Sequence, residues 1–162
     1  MHYLVKLLVE ADNAKEALEN ARTDADSLVE MGEFDWYNFD GRWGESKAYG
    51  AESKKGKELI KEGMEANRRG FNEGLAAVRF MLENFTDDQI YEEDFPKYDD
   101  IKDKLPEGVY HLSRWNFSRV SSHTNEPAVY SEGSRVDSER SLQNQFKYAK
   151  RKLWVVPVDF HN

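Results

Sequence analysis

The side chains with the most chemistry to offer in this sequence are four histidines (His2, His111, His123 and His161), one arginine set among aromatic rings (Arg42) and several runs of carboxylates. Imidazoles joined by a carboxylate suit zinc or manganese, and His111, His123, His161 and Asp159 are the set from which such a site would be drawn. None of them stands at a spacing such as H-E-x-x-H, so the expectation is no metal and no cofactor. Asp87-Asp88, Glu92-Glu93-Asp94 and Asp99-Asp100 supply carboxylates in abundance. General acid and base work needs two carboxylates in different environments facing one cleft, and these runs read instead as solvated loop charges. The phosphate-binding glycine loops and the G-x-S-x-G turn of hydrolases are absent from the sequence, and there is no cysteine to act as a nucleophile. The reading therefore leans away from an enzyme and towards binding.

Two stretches carry the binding candidates. The first is Phe34 to Trp43, in which Trp36, Tyr37, Arg42 and Trp43 stand close together. A guanidinium flanked by rings is suited to stacking, or to bidentate recognition of a carboxylate or phosphate. The alternative is structural: Asp35 or Asp40 pairs with Arg42 to lock a turn, and Trp36 and Trp43 plug the fold. The second stretch places Arg114, Trp115 and Arg119 beside Tyr110 and Phe117. Together with Tyr3, Trp36 and Tyr37 these residues have the makings of an aromatic sheet face that stacks nucleobases. The run of basic, glycine and aromatic residues typical of RNA-binding sheets is missing, and the overall charge opposes phosphate affinity. Nucleic acid or nucleotide binding is thus the second reading, and a protein partner the first.

Charge supports that order. The net charge is -8, with 15 Lys/Arg against 25 Asp/Glu in residues 1–105 and 8 against 6 in residues 106–162. Residues 87–107 hold nine carboxylates opposed only by Lys97, Lys102 and Lys104. Such a surface is solvated, repels nucleic acid, or imitates it for a partner's phosphate site. Mean hydropathy is -0.85 and no apolar run approaches the length of a bilayer, so no membrane span is expected. The opening MHYLVKLLVEAD lacks a cleavage pattern, which together with the absence of cysteine predicts a cytoplasmic protein. Hydrophobic residues make up 39% and aromatics 13%, enough for a core in which rings bury much of the area.

These residues must be positioned by elements that the pattern announces. Residues 2–10 alternate as a strand, with Tyr3, Val5, Leu7 and Val9 on one face. Asp12 or Asn13 caps a helix whose apolar positions run from Ala14 to Val29, and Gly32 stops it. A second strand begins at Phe34, and Asp40-Gly41 marks a turn. From Ser53 to Asn84 a stripe at spacings of three and four predicts one long helix, or two joined near Gly70. Gly63, Gly70 and Gly74 fall on one side of it, a face along which a second copy could pack as a homo-oligomer. Thr86 or Asp87 caps short helices in the acidic run. A third strand is expected over 109–120, then, from Ser121 to Gly133, a long polar loop or an irregular hairpin around Pro127-Ala128-Val129-Tyr130. A last helix over 138–152, capped by Asp137 or Ser138, precedes a closing strand, 153–160, whose Pro157 suggests an edge or a bulge. With 44–107 removed, the order is that of an α+β ferredoxin-like (βαββαβ) antiparallel sandwich. Two helices cover one side of its sheet. The chain is then one domain over 1–162, with 44–107 a helical insertion between the second and third strands.

Some of these residues carry a resemblance. The run Ala14-Lys15-Glu16-Ala17-Leu18-Glu19-Asn20-Ala21, then Asp35-Trp36-Tyr37 with Gly41-Arg42-Trp43, then Val156-Pro157-Val158-Asp159-Phe160-His161, resembles small uncharacterised proteins of phages and prophages. Those share a Trp-Tyr…Gly-Arg-Trp core and a Val-Asp-x-His-like closing strand. This chain departs from them at Phe39-Asp40 and at Pro157. The resemblance implies a viral or mobile-element accessory protein, for instance an inhibitor of a host defence complex, and it implies no reaction. His111-Leu112-Ser113 and His123-Thr124 are similar only in outline to the paired motifs of two-histidine phosphoesterases. They lie too close together, and the second lacks the residue between His and Thr.

Overall fold

A nine-residue strand at each end of the chain makes the spine of the fold, because β1 (His2–Glu10) and β8 (Leu153–His161) pair antiparallel along their whole length, from His2 opposite His161 to Glu10 opposite Leu153. The structure is a computed structural model, described for residues 1–122 and 129–161. The chain divides into two compact units, residues 1–66 with 127–162, and residues 67–126.

The first unit is α+β. After β1 comes α1 (Ala14–Glu30), capped by the Asn13 side chain, which accepts from the Glu16 amide. Gly32, at φ 75°, reverses the chain as the sequence predicts. Short strands follow: β2 (Trp36–Asn38), β3 (Asp40–Gly41), β4 (Gly44–Glu45) and β5 (Tyr49–Gly50). Then α2 (Lys54–Asn84) begins, and it is one continuous 31-residue helix. Late in the chain the first unit regains β6 (Val129–Ser131), β7 (Ser134–Arg135), α6 (Glu139–Tyr148) and β8. Its sheet runs in the order β2-β8-β1-β6-β7, with β5 also on β8, while β3 and β4 form a separate two-stranded hairpin.

Two features of this sheet differ from the sequence reading. It is mixed, because β6 runs parallel to β1 while the other pairs are antiparallel. It is also covered on both faces, because β1 and β8 are apolar on both. On one face Val5, Leu7, Val9, Val156, Val158 and Phe160 meet Ala17, Ala21, Ala25 and Leu28 of α1. On the other, Leu8, Leu153 and Val155 pack with Leu59, Ile60 and Met64 of α2, with Leu142 of α6 against them. Each such fully buried aliphatic or phenyl side chain contributes ~1.5–3 kcal/mol.

Pro157 stands inside this spine and not on an edge strand. The amide of Ala11 bonds Lys152, whereas those of Ala51 and Asp35 bond Leu153 and His161. Odd-numbered residues of β8 therefore turn their backbone polar groups away from β1. On that side β5 pairs with residues 154 and 155, and β2 with 159 to 161. The missing N–H of Pro157 falls in the gap between them, where no ladder bond is lost.

The second unit, residues 67–126, holds the rest of α2, α3 (Asp87–Tyr91), α4 (Tyr98–Ile101) and α5 (Trp115–Ser122). Thr86 caps α3 in a capping box with Gln89. The expected strand over 109–120 is not formed: its second half is α5. Within it Asn116, Phe117, Arg119 and Val120 are the less exposed positions, at spacings of three and four, with Asn116 fully buried. A polar residue at a core position disguised the helical period. Gly63, Gly70 and Gly74 are buried within the chain, so the face expected to meet a second copy is not open. At Gly74 the neighbour is α5, since a Cβ there would lie 2.8 Å from Cβ of Arg119. The residues 123–128, His123 among them, lie outside the described residues.

Candidate binding site

In the cross-strand register of β1, β8 and β2, His2, His161 and Trp36 lie side by side, and Leu4, Asp159 and Asn38 form the next row. Facing residues on paired strands project to the same side of a sheet. This puts His2, Asp159, His161 and Trp36 together on the face opposite α1, beyond the end covered by α2.

Asp159 is the centre of the arrangement and is only 3% exposed. His2 Nδ1 lies 2.9 Å from its Oδ1 and 3.2 Å from its Oδ2. A carboxylate only accepts, so Nδ1 carries the proton and the Nε2 edge of the ring is left for another partner. The Arg42 amide donates to Asp159 Oδ2 at 2.8 Å. That bond seats the β3–β4 hairpin on the sheet. Gly41 packs so closely there that a Cβ would lie 2.8 Å from Asp159 Cγ. At the hairpin tip neither Arg42 nor Trp43 has a positive φ, and Gly44, at 89°, takes the left-handed position that closes the turn. The turn falls at Arg42-Trp43, two residues later than the Asp40-Gly41 signal predicts.

Rings surround the pair. His161 stacks on Trp36 at 5.0 Å and 12°, and His2 meets Trp36 and Trp43 edge-on at 5.7 and 6.4 Å. Trp36 and Trp43 are nevertheless 43% and 48% exposed. The backbone nitrogen of Met1 lies 3.1 Å from His161 Nε2. His161 Nδ1 is buried with no hydrogen-bond partner among the described residues, and the nearest carboxylate oxygen, of Asp35, is 3.9 Å away. The guanidinium of Arg42 is exposed and pairs with no carboxylate among the described residues, so the expected lock by Asp35 or Asp40 is not formed. What locks the turn is the Arg42 backbone.

The remaining candidates lie elsewhere. Tyr37 points to the opposite face, into the core beneath α1, and its hydroxyl donates to Asp26 at 2.7 Å. Burial and then the Asp26 carboxylate push its phenol above the ordinary range. Arg114, Trp115 and Arg119 belong to the second unit, where they form no sheet face. Trp115 is stacked by His111 at 5.9 Å, and the Arg119 guanidinium stands 5.0 Å from its centroid, so its ring is already engaged. Arg119 pairs with Glu73 at 3.1 Å, and Arg114 stands over Tyr91 at 5.6 Å. Of the metal set, His161 and Asp159 are near each other while His111 is in the other unit. Among the described residues no three potential ligands come together as a metal requires.

The second unit also contains a groove of about 370 Å³, lined by Leu82, Asp87, Ile90, Tyr91, Arg114 and Phe117. Leu82 and Tyr91 at its rim are 60% and 68% exposed. Of the groove, the sequence reading anticipated only Arg114. Of the corner on the sheet it missed His2, whose role depends on β1 pairing with β8 in the register that sets it beside Asp159.

A mixed sheet with helices on both faces and a helical second unit define an α+β protein with a buried carboxylate at an aromatic corner. The chain belongs to the family described as "Domain of unknown function (DUF7995)", whose model matches residues 1–162. Comparison with curated proteins and with solved structures found no match. No helix among the described residues is long and apolar enough to cross a membrane.

Proposed function

We propose that this is a binding protein whose second unit captures a basic segment of another protein, an apolar side chain of which enters the groove at Leu82, Ile90, Tyr91 and Phe117. The groove is the observation that carries this reading. Exposed apolar side chains around a hollow mark an interaction site far more often than scattered ones do. The charge of the partner follows from the surroundings. All nine carboxylates of residues 87–107 are exposed, and the Arg114 guanidinium at the groove already faces Glu93 Oε2 at 4.0 Å, while Glu93 Oε1 accepts the Arg114 amide at 2.7 Å. Complementary charge then speeds encounter and excludes acidic partners.

The wider setting we infer is an accessory protein of a virus or mobile element, working in the cytoplasm of a host cell and acting on a host defence complex. The resemblance around Trp36-Tyr37 and Gly41-Arg42-Trp43 supports it. On the fold, β1 lying between an antiparallel last strand and a parallel strand supports kinship with the ferredoxin-like order, rearranged so that β2 joins the far side of β8.

Affinity capture from host lysate with the wild-type chain and Leu82→Glu, each followed by cross-linking, tests the function. The expected partner is retained by the wild type at moderate salt, cross-links to residues 82–117, and is lost with Leu82→Glu. A partner that ignores this substitution, or cross-links elsewhere, overturns the assignment of the groove.

A further inference from the structure

The corner around His2 has more construction than the hairpin's anchoring alone requires. Asp159 fixes the Nδ1 edge of the His2 ring, and Nε2 has no hydrogen-bond partner among the described residues. Two indoles stand half exposed beside that ring. The Arg42 guanidinium, one residue from Trp43, has no ion pair among the described residues, while a backbone bond to a buried carboxylate holds its main chain. His161 Nδ1 is buried with no hydrogen-bond partner among the described residues. Buried polar groups without partners are scarce and call for an explanation.

We propose that this corner binds a planar nitrogen heterocycle carrying an anionic group, the chemistry of a nucleotide, free or at the end of a single strand. The half-exposed Trp43 indole supplies the stacking surface, since Trp36 is already stacked by His161, and such stacking is tolerant of base identity. His2 Nε2 accepts from a ring N–H or an exocyclic amine, and Arg42 presents its fork of donors to the phosphate. The site is pre-organised, because Asp159 is held at once by His2, by the Arg42 amide and by the close approach of Gly41. Electrostatics decides the size of the ligand. In the hairpin register Gly41 faces Gly44 and Asp40 faces Glu45, so with Gly41 packed on Asp159 the acidic pair looks outward. A long polyanion crossing those carboxylates is disfavoured, whereas one phosphate beside Arg42 is not. A cationic ligand is opposed by Arg42 itself. Trp115 offers no equivalent, since His111 and Arg119 engage its ring.

The test is calorimetry and tryptophan quenching on the full chain, titrated with the four ribonucleoside monophosphates, their nucleosides, inorganic phosphate and short single-stranded oligonucleotides. Saturable quenching by at least one monophosphate is expected, with its nucleoside weaker by about tenfold. Arg42→Gln should reduce the nucleotide to the nucleoside's affinity, and Trp43→Leu should weaken both by on the order of tenfold or more. Circular dichroism and thermal melting establish that each variant is folded. Oligonucleotides that bind more tightly than the monophosphate identify a strand end as the source, and equal or weaker ones a free nucleotide. No saturable quenching up to about 10 mM ligand, or binding unchanged in folded Arg42→Gln and Trp43→Leu, overturns the proposal. The groove of the second unit is untouched by these variants, so the two readings stand or fall separately.

Discussion

Asp159 draws together three separate parts of the chain: the first strand through His2, the hairpin through Arg42, and its own closing strand. Gly41 is where this convergence is tightest. A methyl group there meets Asp159 Cγ at 2.8 Å, and the carboxylate cannot swing aside without breaking its bonds to His2 and Arg42. Gly41→Ala should therefore cost ~1–3 kcal/mol of stability in urea unfolding, the usual penalty for overpacking. Asp159→Gly removes every obstructing atom, the Cβ at 2.5 Å included, so adding Gly41→Ala to it should cost much less. Equal costs in the two backgrounds would show that the collision is not the cause. At this scale the sequence was partly legible. Gly41-Arg42-Trp43 stood out by composition, and Arg42 was set apart within it. The carboxylates expected to hold it were its neighbours in the chain, Asp35 and Asp40. The one that does lies 117 positions away, and it holds the main chain. Local spacing carries no trace of such a partner.

The elements best read from sequence are those whose signals are local. Asn13 and Ser138 cap their helices, Gly32 ends α1, and the stripe over 54–84 becomes a single helix. The error over 109–120 has a physical origin: Asn116, fully buried, bonds the His111 and Ser113 carbonyls through its side chain and fills a core position that hydropathy assigns to the surface. The glycines of α2 are the other element-scale feature, because each costs a helix interior ~0.5–1 kcal/mol relative to alanine. Gly56 is accounted for by the turn before the helix, where an added Cβ would lie 2.9 Å from the carbonyl carbon of Gly50. Gly74 is accounted for by α5. Alanine at Gly74 should gain helix propensity and yet lower stability by about 1 kcal/mol or more. The atom it meets is the Cβ of Arg119, which moves only if α5 moves. A rise in melting temperature for Gly74→Ala would mean that α5 yields, and that the close approach is not what keeps this residue a glycine.

For the molecule as a whole, α+β and strands at the start and end of the chain were legible, since β1 and β8 are nine-residue runs rich in apolar residues. The strand order was not, because β6 and β7 have three and two residues, too few to leave a period. Those short strands bring a group that shapes the stability of the whole chain. Tyr130 on β6 is 1% exposed, and its hydroxyl donates to Glu33 at 3.2 Å beside the Arg135 guanidinium, which is 2.7 Å from the same carboxylate. Burial pushes its phenol from 10.0 up to about 12, although Arg135 opposes the shift. In the unfolded chain the phenol ionises near its ordinary value while the folded chain still holds the proton. The contribution of Tyr130 is thus intact below about pH 10 and is lost as pH rises through about 12. A difference of that size corresponds to on the order of 2 kcal/mol. Tyr130→Phe lacks the ionising hydroxyl, so its urea midpoint should fall less steeply between pH 10 and 12 than that of the wild type. The comparison cancels the other tyrosines and the lysines, which titrate in both proteins. Parallel curves for the two would place the Tyr130 hydroxyl in contact with solvent, and with it the packing of β6 against the core beneath α1.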